Sequence, residues 1–148
     1  MKLTGARANT WIQSPPADCP GVLLYGPDAG LCAERADLIA KKFSPNPDDP
    51  FSTTVLSADD LIGDAARLGD EMVAQSLLGD ARLIRLRLSH ERGAAAISKT
   101  IKALDAKPET CAAKLIVEAG DMTTRSAIRK AFEGAKNFAA IACYADSQ

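Results

Sequence analysis

Short apolar runs separated by stretches of helical spacing divide this chain. Val22-Leu23-Leu24-Tyr25 is unbroken and apolar and ends in a glycine turn, which predicts a buried strand over 22–25. Behind it, Cys32, Ala36, Ile39 and Phe43 follow at steps of four, three and four, one face of a helix over 31–43. Residues 51–56 are β-branched and apolar and predict a second strand. In 82–88, Ile84, Leu86 and Leu88 alternate with Arg85 and Arg87, giving a strand with one apolar face and a less completely covered one. The runs 114–119 and 138–144 supply two more. Five strands alternating with helices specify an α/β fold, a five-stranded and mainly parallel sheet with helices on both faces.

The remaining elements follow from caps and breakers. Trp11 and Ile12 anchor a leading helix over 3–12, and the prolines of 14–21 make a rigid connector into the first strand. Ser57-Ala58-Asp59-Asp60 has the form of a variant capping box. Its helix is expected to carry Leu61, Ile62, Ala65 and Leu68 inward and to stop near Gly69. Asp70 then caps a short helix through Leu78, ended by Gly79. Gly93 opens a helix through Leu104 with Ile97, Ile101 and Leu104 as its stripe. Thr123 is the expected cap of a helix burying Ile128, Ala131 and Phe132.

With 148 residues, 47% of them hydrophobic, the chain fits one domain with its own core. Its net charge of −1 argues against an autonomous nucleic-acid binder, and the local clusters Arg82/Arg85/Arg87 and Arg125/Arg129/Lys130 read as solvated faces. The four cysteines form no Cys-x-x-Cys pair, which suits reduced, buried thiols rather than a disulfide frame or a metal site. No apolar run approaches the ~18–20 residues of a membrane span, and no secretory signal is evident. These features predict a cytoplasmic protein without a membrane partner.

The candidate chemistry lies in the turn after the first strand. Strand, Gly26-Pro27-Asp28-Ala29-Gly30 and helix form the opening of a nucleotide-binding domain. A working phosphate loop continues Gly-Lys-Ser/Thr five residues after its first glycine, and those positions hold Leu31, Cys32 and Ala33. A thiol and a methyl group neither neutralise a triphosphate nor ligate magnesium. The acidic strand end that holds magnesium in active ATPases is also missing: Leu88-Ser89-His90-Glu91 puts Glu91 past the strand. We therefore expect no catalytic residue, no metal and no cofactor, and a phosphate loop that binds no ATP. His90, the lone histidine, reads as a loop surface residue. Cys32 reads as a packed, inert thiol, and Asp28 and Asp121 as turn carboxylates.

One segment has a different character. On a helix through Gln75-Ser76-Leu77-Leu78, Met72, Val73 and Leu77 share an inward face, and Leu78 lies about 100° away towards solvent. A large apolar residue at an exposed helix end can anchor in a partner's pocket. Periodicity alone leaves this open and favours core positions for both leucines.

In order along the chain, Leu23-Leu24-Tyr25-Gly26-Pro27-Asp28, Ser76-Leu77-Leu78-Gly79 with the strand 82–87, Leu115-Ile116-Val117-Glu118-Ala119-Gly120-Asp121 and Arg125-Ser126-Ala127-Ile128-Arg129-Lys130 resemble the N-terminal domain of the delta subunit of bacterial DNA polymerase III. This is the clamp-opening subunit of the sliding-clamp loader. The resemblance implies a P-loop NTPase fold of the AAA+ type with a degenerate phosphate loop (Gly26, Gly30, Leu31, Cys32, Ala33). It implies a non-catalytic subunit of a DNA-directed DNA polymerase holoenzyme that binds and helps open the sliding clamp, the beta subunit, in DNA replication. Clamp contact falls on Gln75, Ser76, Leu77 and Leu78, although the family commonly has an aromatic residue at the position of Leu78. The resemblance also implies residues 1–148 as a clamp-binding domain, with the family's second small domain and C-terminal collar absent from this chain. The gamma/tau and delta-prime subunits are then partners of the full-length protein, and DNA only an indirect or weak one. The competing reading is a divergent P-loop kinase or NTPase binding phosphate at residues 26–30.

Overall fold

The structure, a computed structural model, describes residues 1–44, 46–75 and 82–144. Its strands are β1 (Lys2–Leu3), β2 (Gly21–Tyr25), β3 (Thr53–Ser57), β4 (Arg82–Leu88), β5 (Ala113–Ala119) and β6 (Phe138–Ala142). Its helices are α1 (Gly5–Gln13), α2 (Ala29–Phe43), α3 (Ala58–Leu61), α4 (Arg67–Val73), α5 (Ala94–Ala106) and α6 (Ala127–Glu133), with a 3₁₀ turn at Pro108–Thr110. Every strand pair is parallel, in the order β1-β6-β2-β5-β4-β3. The apolar run of β2 is explained by its place between β5 and β6. A parallel strand covered on both faces has no polar side, so alternation disappears, and Val22, Leu23, Leu24 and Tyr25 are all buried.

Two apolar layers hold the helices. On one face, Trp11 and Ile12 of α1 and Cys32, Ala36 and Ile39 of α2 pack on Val22, Leu24, Ile116 and Ile141. On the other, Leu68 and Met72 of α4, Ile97 and Ile101 of α5 and Ile128 and Phe132 of α6 pack on Leu23, Ile84, Leu86, Leu115 and Val117. Ile84, Leu86 and Leu88 share this second layer, as their alternation predicts. Opposite them, polar contacts replace apolar cover: Arg85 bridges Asp37 of α2 and Glu118 of β5, each at 3.1 Å.

Several expectations need correction. Among the described residues the sheet has six strands, not five. β1 is two residues long, too short to show any period, and is defined by its register Lys2↔Ala140 and Leu3↔Ile141 on β6. Ser57 does form the capping box: its Oγ accepts from the Asp60 N–H at 3.3 Å, and its own N–H donates to Asp60 Oδ2 at 2.8 Å. The helix it starts nevertheless ends at Leu61, because Ile62 turns extended and Gly63 follows with φ +79°. Ile62 and Ala65 are exposed rather than inward. α4 runs through Gly69, the expected stop, and Asp70 lies inside it. Burial of Leu68 and Met72 outweighs the roughly 1 kcal/mol cost of a mid-helix glycine. Ser126, not Thr123, caps α6 and accepts from the Arg129 N–H at 3.2 Å, whereas Thr123 Oγ1 accepts from the Arg125 N–H.

Phe132 is fully buried and meets Phe138 edge-on with ring centroids 5.7 Å apart. Phe132→Ala is expected to lower unfolding free energy by about 3–5 kcal/mol in urea titrations, while Ile62→Ala at its exposed position stays within about 0.5 kcal/mol of wild type.

Candidate functional site

In open α/β sheets, ligands sit outside the carboxyl ends of neighbouring strands whose following helices leave to opposite faces. Here those strands are β2, followed by α2, and β5, followed by α6. The turn at that point is three residues long: Gly26, Pro27 and Asp28. Gly26 has φ +140°, and a Cβ on it would lie 2.2 Å from the Cys143 carbonyl oxygen. Its N–H donates to the Gly120 carbonyl at 3.1 Å. The Cys143 N–H donates to the Tyr25 carbonyl at 2.6 Å, and the Asp28 N–H to the Cys143 carbonyl at 3.4 Å. The turn is thereby tied to the segments following both neighbouring strands, and only glycine fits.

α2 begins at Ala29, two residues before the expected start. Asp28 is its N-cap, with Oδ1 accepting from the Leu31 N–H at 3.0 Å. A helix N-terminus favours an anion, and this one already faces a carboxylate of its own chain. Gly30, Leu31, Cys32 and Ala33 consequently lie within the first two turns of the helix rather than in a loop. Nothing crowds Gly30: the nearest atom to a Cβ there is Asp28 Oδ1 at 3.5 Å. Cys32 is buried, as its apolar face predicts, and its sulfur lies 3.9 Å from the Ala119 carbonyl. A hydrogen bond with the Cys143 thiol, together with burial, pushes the Cys32 thiol well above its ordinary range. The same bond, with the nearby Arg35 guanidinium, lowers that of Cys143.

Two of the other polar residues at this end of the sheet, His90 and Glu91, are engaged elsewhere. His90 Nε2 meets Asp59 Oδ1 at 2.8 Å. Glu91 accepts from the Ser126 hydroxyl beside the α6 cap, and Asp121 is exposed. Among the described residues, no three His, Cys, Asp or Glu side chains converge as metal ligands. In the same residues, no helix is long and apolar enough to cross a membrane. Gln75 is exposed just past α4, while Ser76, Leu77 and Leu78 lie outside the described residues.

The sequence reading missed one cluster. Arg129, expected on a solvated face, is 9% exposed. Its guanidinium lies 4.8 Å from the centre of the Tyr25 ring, donates to Glu133 Oε2 at 3.1 Å, and donates to the Met122 carbonyl at 2.8 Å. Tyr25 donates its hydroxyl to the same Glu133 oxygen at 3.0 Å, and burial with that bond raises its pKa. The four-residue spacing of Arg129 and Glu133 was the available signal.

Gly26→Ala combines backbone strain with a carbonyl clash and is expected to cost about 3 kcal/mol or more, whereas Gly63→Ala, with open space around it, costs about 1–2; thermal unfolding of both variants checks the contrast. Cys19, Cys32 and Cys143 are buried and Cys111 is half-buried. Native alkylation followed by mass spectrometry should therefore modify Cys111 first and the other three only on unfolding.

No protein-family model and no curated protein matches this sequence. Among solved structures, the chain is similar to a DNA polymerase III gamma subunit-related protein from Thermotoga maritima, with a TM-score of 0.56 and 10% identity over 93% of this chain. The chain spans 45% of that protein's length. The likeness is one of fold: a parallel sheet flanked by helices on both faces.

Proposed function

We propose that this chain is a non-catalytic clamp-loader module that binds a sliding clamp and favours its opened form during DNA replication. The observation that carries the reading is the Asp28 cap: in a fold of the clamp-loader type, the helix N-terminus that would receive phosphate already faces a carboxylate. Leu31, Cys32 and Ala33 supply neither the cation nor the hydroxyl of ATP chemistry. Such a domain acts by binding energy alone. It opens a ring only as far as it binds the open form better than the closed one.

The narrower assignment, to the delta subunit of DNA polymerase III, rests on the sequence resemblance. In it Leu77 and Leu78, preceded by Gln75 and Ser76, enter an apolar pocket of the clamp. Residues 1–148 then form the clamp-binding domain of a longer cytoplasmic protein, whose further domains join the gamma/tau and delta-prime subunits. Two leucines buried at about 1.5–3 kcal/mol each account for a useful affinity.

Binding of this chain to a bacterial sliding clamp is the direct test, with Leu77→Ala/Leu78→Ala beside wild type and circular dichroism on both. We expect the folded double variant to bind at least about a hundredfold more weakly. Equal binding by both proteins removes the leucines from the contact. Saturable micromolar ATP binding that is lost on substituting Gly30 replaces this reading with a nucleotide-binding enzyme.

A further inference from the structure

A cavity opens at the carboxyl ends of β1, β2 and β6, on the side of β2 away from β5. It measures about 180 Å³ and is lined by Lys2, Thr4, Tyr25, Arg35, Arg129 and Tyr144, among others. Three cations from three elements meet there: Lys2 from β1, Arg35 from α2 and Arg129 from α6. Their charges are unequally compensated. Arg129 is paired with Glu133, but among the described residues neither Lys2 nor Arg35 makes an ion pair. Arg35 is instead held by the Ala142 carbonyl, to which one guanidinium nitrogen donates at 3.1 Å. The buried Arg129–Glu133–Tyr25 network forms a fixed wall, so the two uncompensated cations border a preformed hollow rather than a loose surface.

We propose that this cavity is an anion site for a phosphate group, bound by Arg35 and Lys2 against the wall made by Arg129 and the two tyrosines. Two positive charges with no ion-pair partner among the described residues match the dianionic character of a phosphate better than a single carboxylate, and a guanidinium presents paired donors to its oxygens. The size sets the limit. The hollow is smaller than the roughly 300–1,000 Å³ of sites that enclose drug-sized ligands, so it takes the phosphate itself, free or as the terminal group of a small phosphomonoester whose remainder stays outside. The site is separate from the Asp28-capped turn, and the clamp contact does not depend on it.

The test is titration of this chain with inorganic phosphate and, separately, with adenosine monophosphate, by calorimetry and phosphorus NMR at low ionic strength. The Lys2→Gln/Arg35→Gln double variant leaves the Arg129–Glu133 pair in place. We expect saturable phosphate binding in wild type and affinity at least about tenfold lower in the double variant, with circular dichroism unchanged. Should the double variant fail to fold, Lys2→Gln alone, at an exposed position, must still weaken binding severalfold. Equal affinities for the two ligands identify free phosphate as the source. A tighter monophosphate that phosphate displaces identifies a phosphomonoester. Dissociation constants above roughly 10 mM for both ligands, or undiminished binding by the folded variant, overturn the site. Neither result bears on clamp binding by wild type.

Discussion

Burial of β2 on both faces is the constraint on which the rest of the structure depends. Four apolar residues, Val22, Leu23, Leu24 and Tyr25, alternate between two layers of helices, so each layer is anchored on the same short strand. Its neighbours β5 and β6 are parallel to it, and parallel neighbours need crossovers, here helical, on the sheet faces. The placement of α2 on one side and of α5 and α6 on the other follows from that requirement. So does the convergence of three strand ends at Gly26, Gly120 and Cys143.

That convergence decides the character of the site. The Gly26 N–H and the Cys143 carbonyl are both spent on holding strand ends together, and Asp28 completes the start of α2. The segment between β2 and α2 is a tight structural turn, and a helix end already supplied with its own carboxylate gains little from a further anion. Cys32 and Cys143 follow suit. Both sulfurs are buried and hydrogen-bonded beneath the turn, where they pack rather than react.

Charge inside the sheet ends is arranged by the same geometry. Arg85 is taken up by Asp37 and Glu118, and Arg129 by Glu133 with the Tyr25 ring beneath it. Arg35, one helix over, has a carbonyl and a thiol for neighbours.

The sequence by itself determined the elements whose periods are long or unbroken. The apolar run of β2, the three-and-four spacing of α2 and the alternation of β4 each demand one kind of burial, and each stands where its pattern put it. The residues that open α2 after the turn, Leu31, Cys32 and Ala33, were equally legible, since they are identities rather than geometries. Only the tertiary structure decided the rest. β1 exists because β6 has a free edge to pair with, not because two residues carry a pattern. Gly69 stays helical because its neighbours Leu68 and Met72 are buried, and Gly63 ends α3 where the capping box promised a longer helix. Arg129 leaves the surface because Tyr25 and Glu133, 104 residues before and four after it, happen to face one another across the end of the sheet. Local patterns report how a segment is buried; which distant side chains meet there is set by the order of the strands.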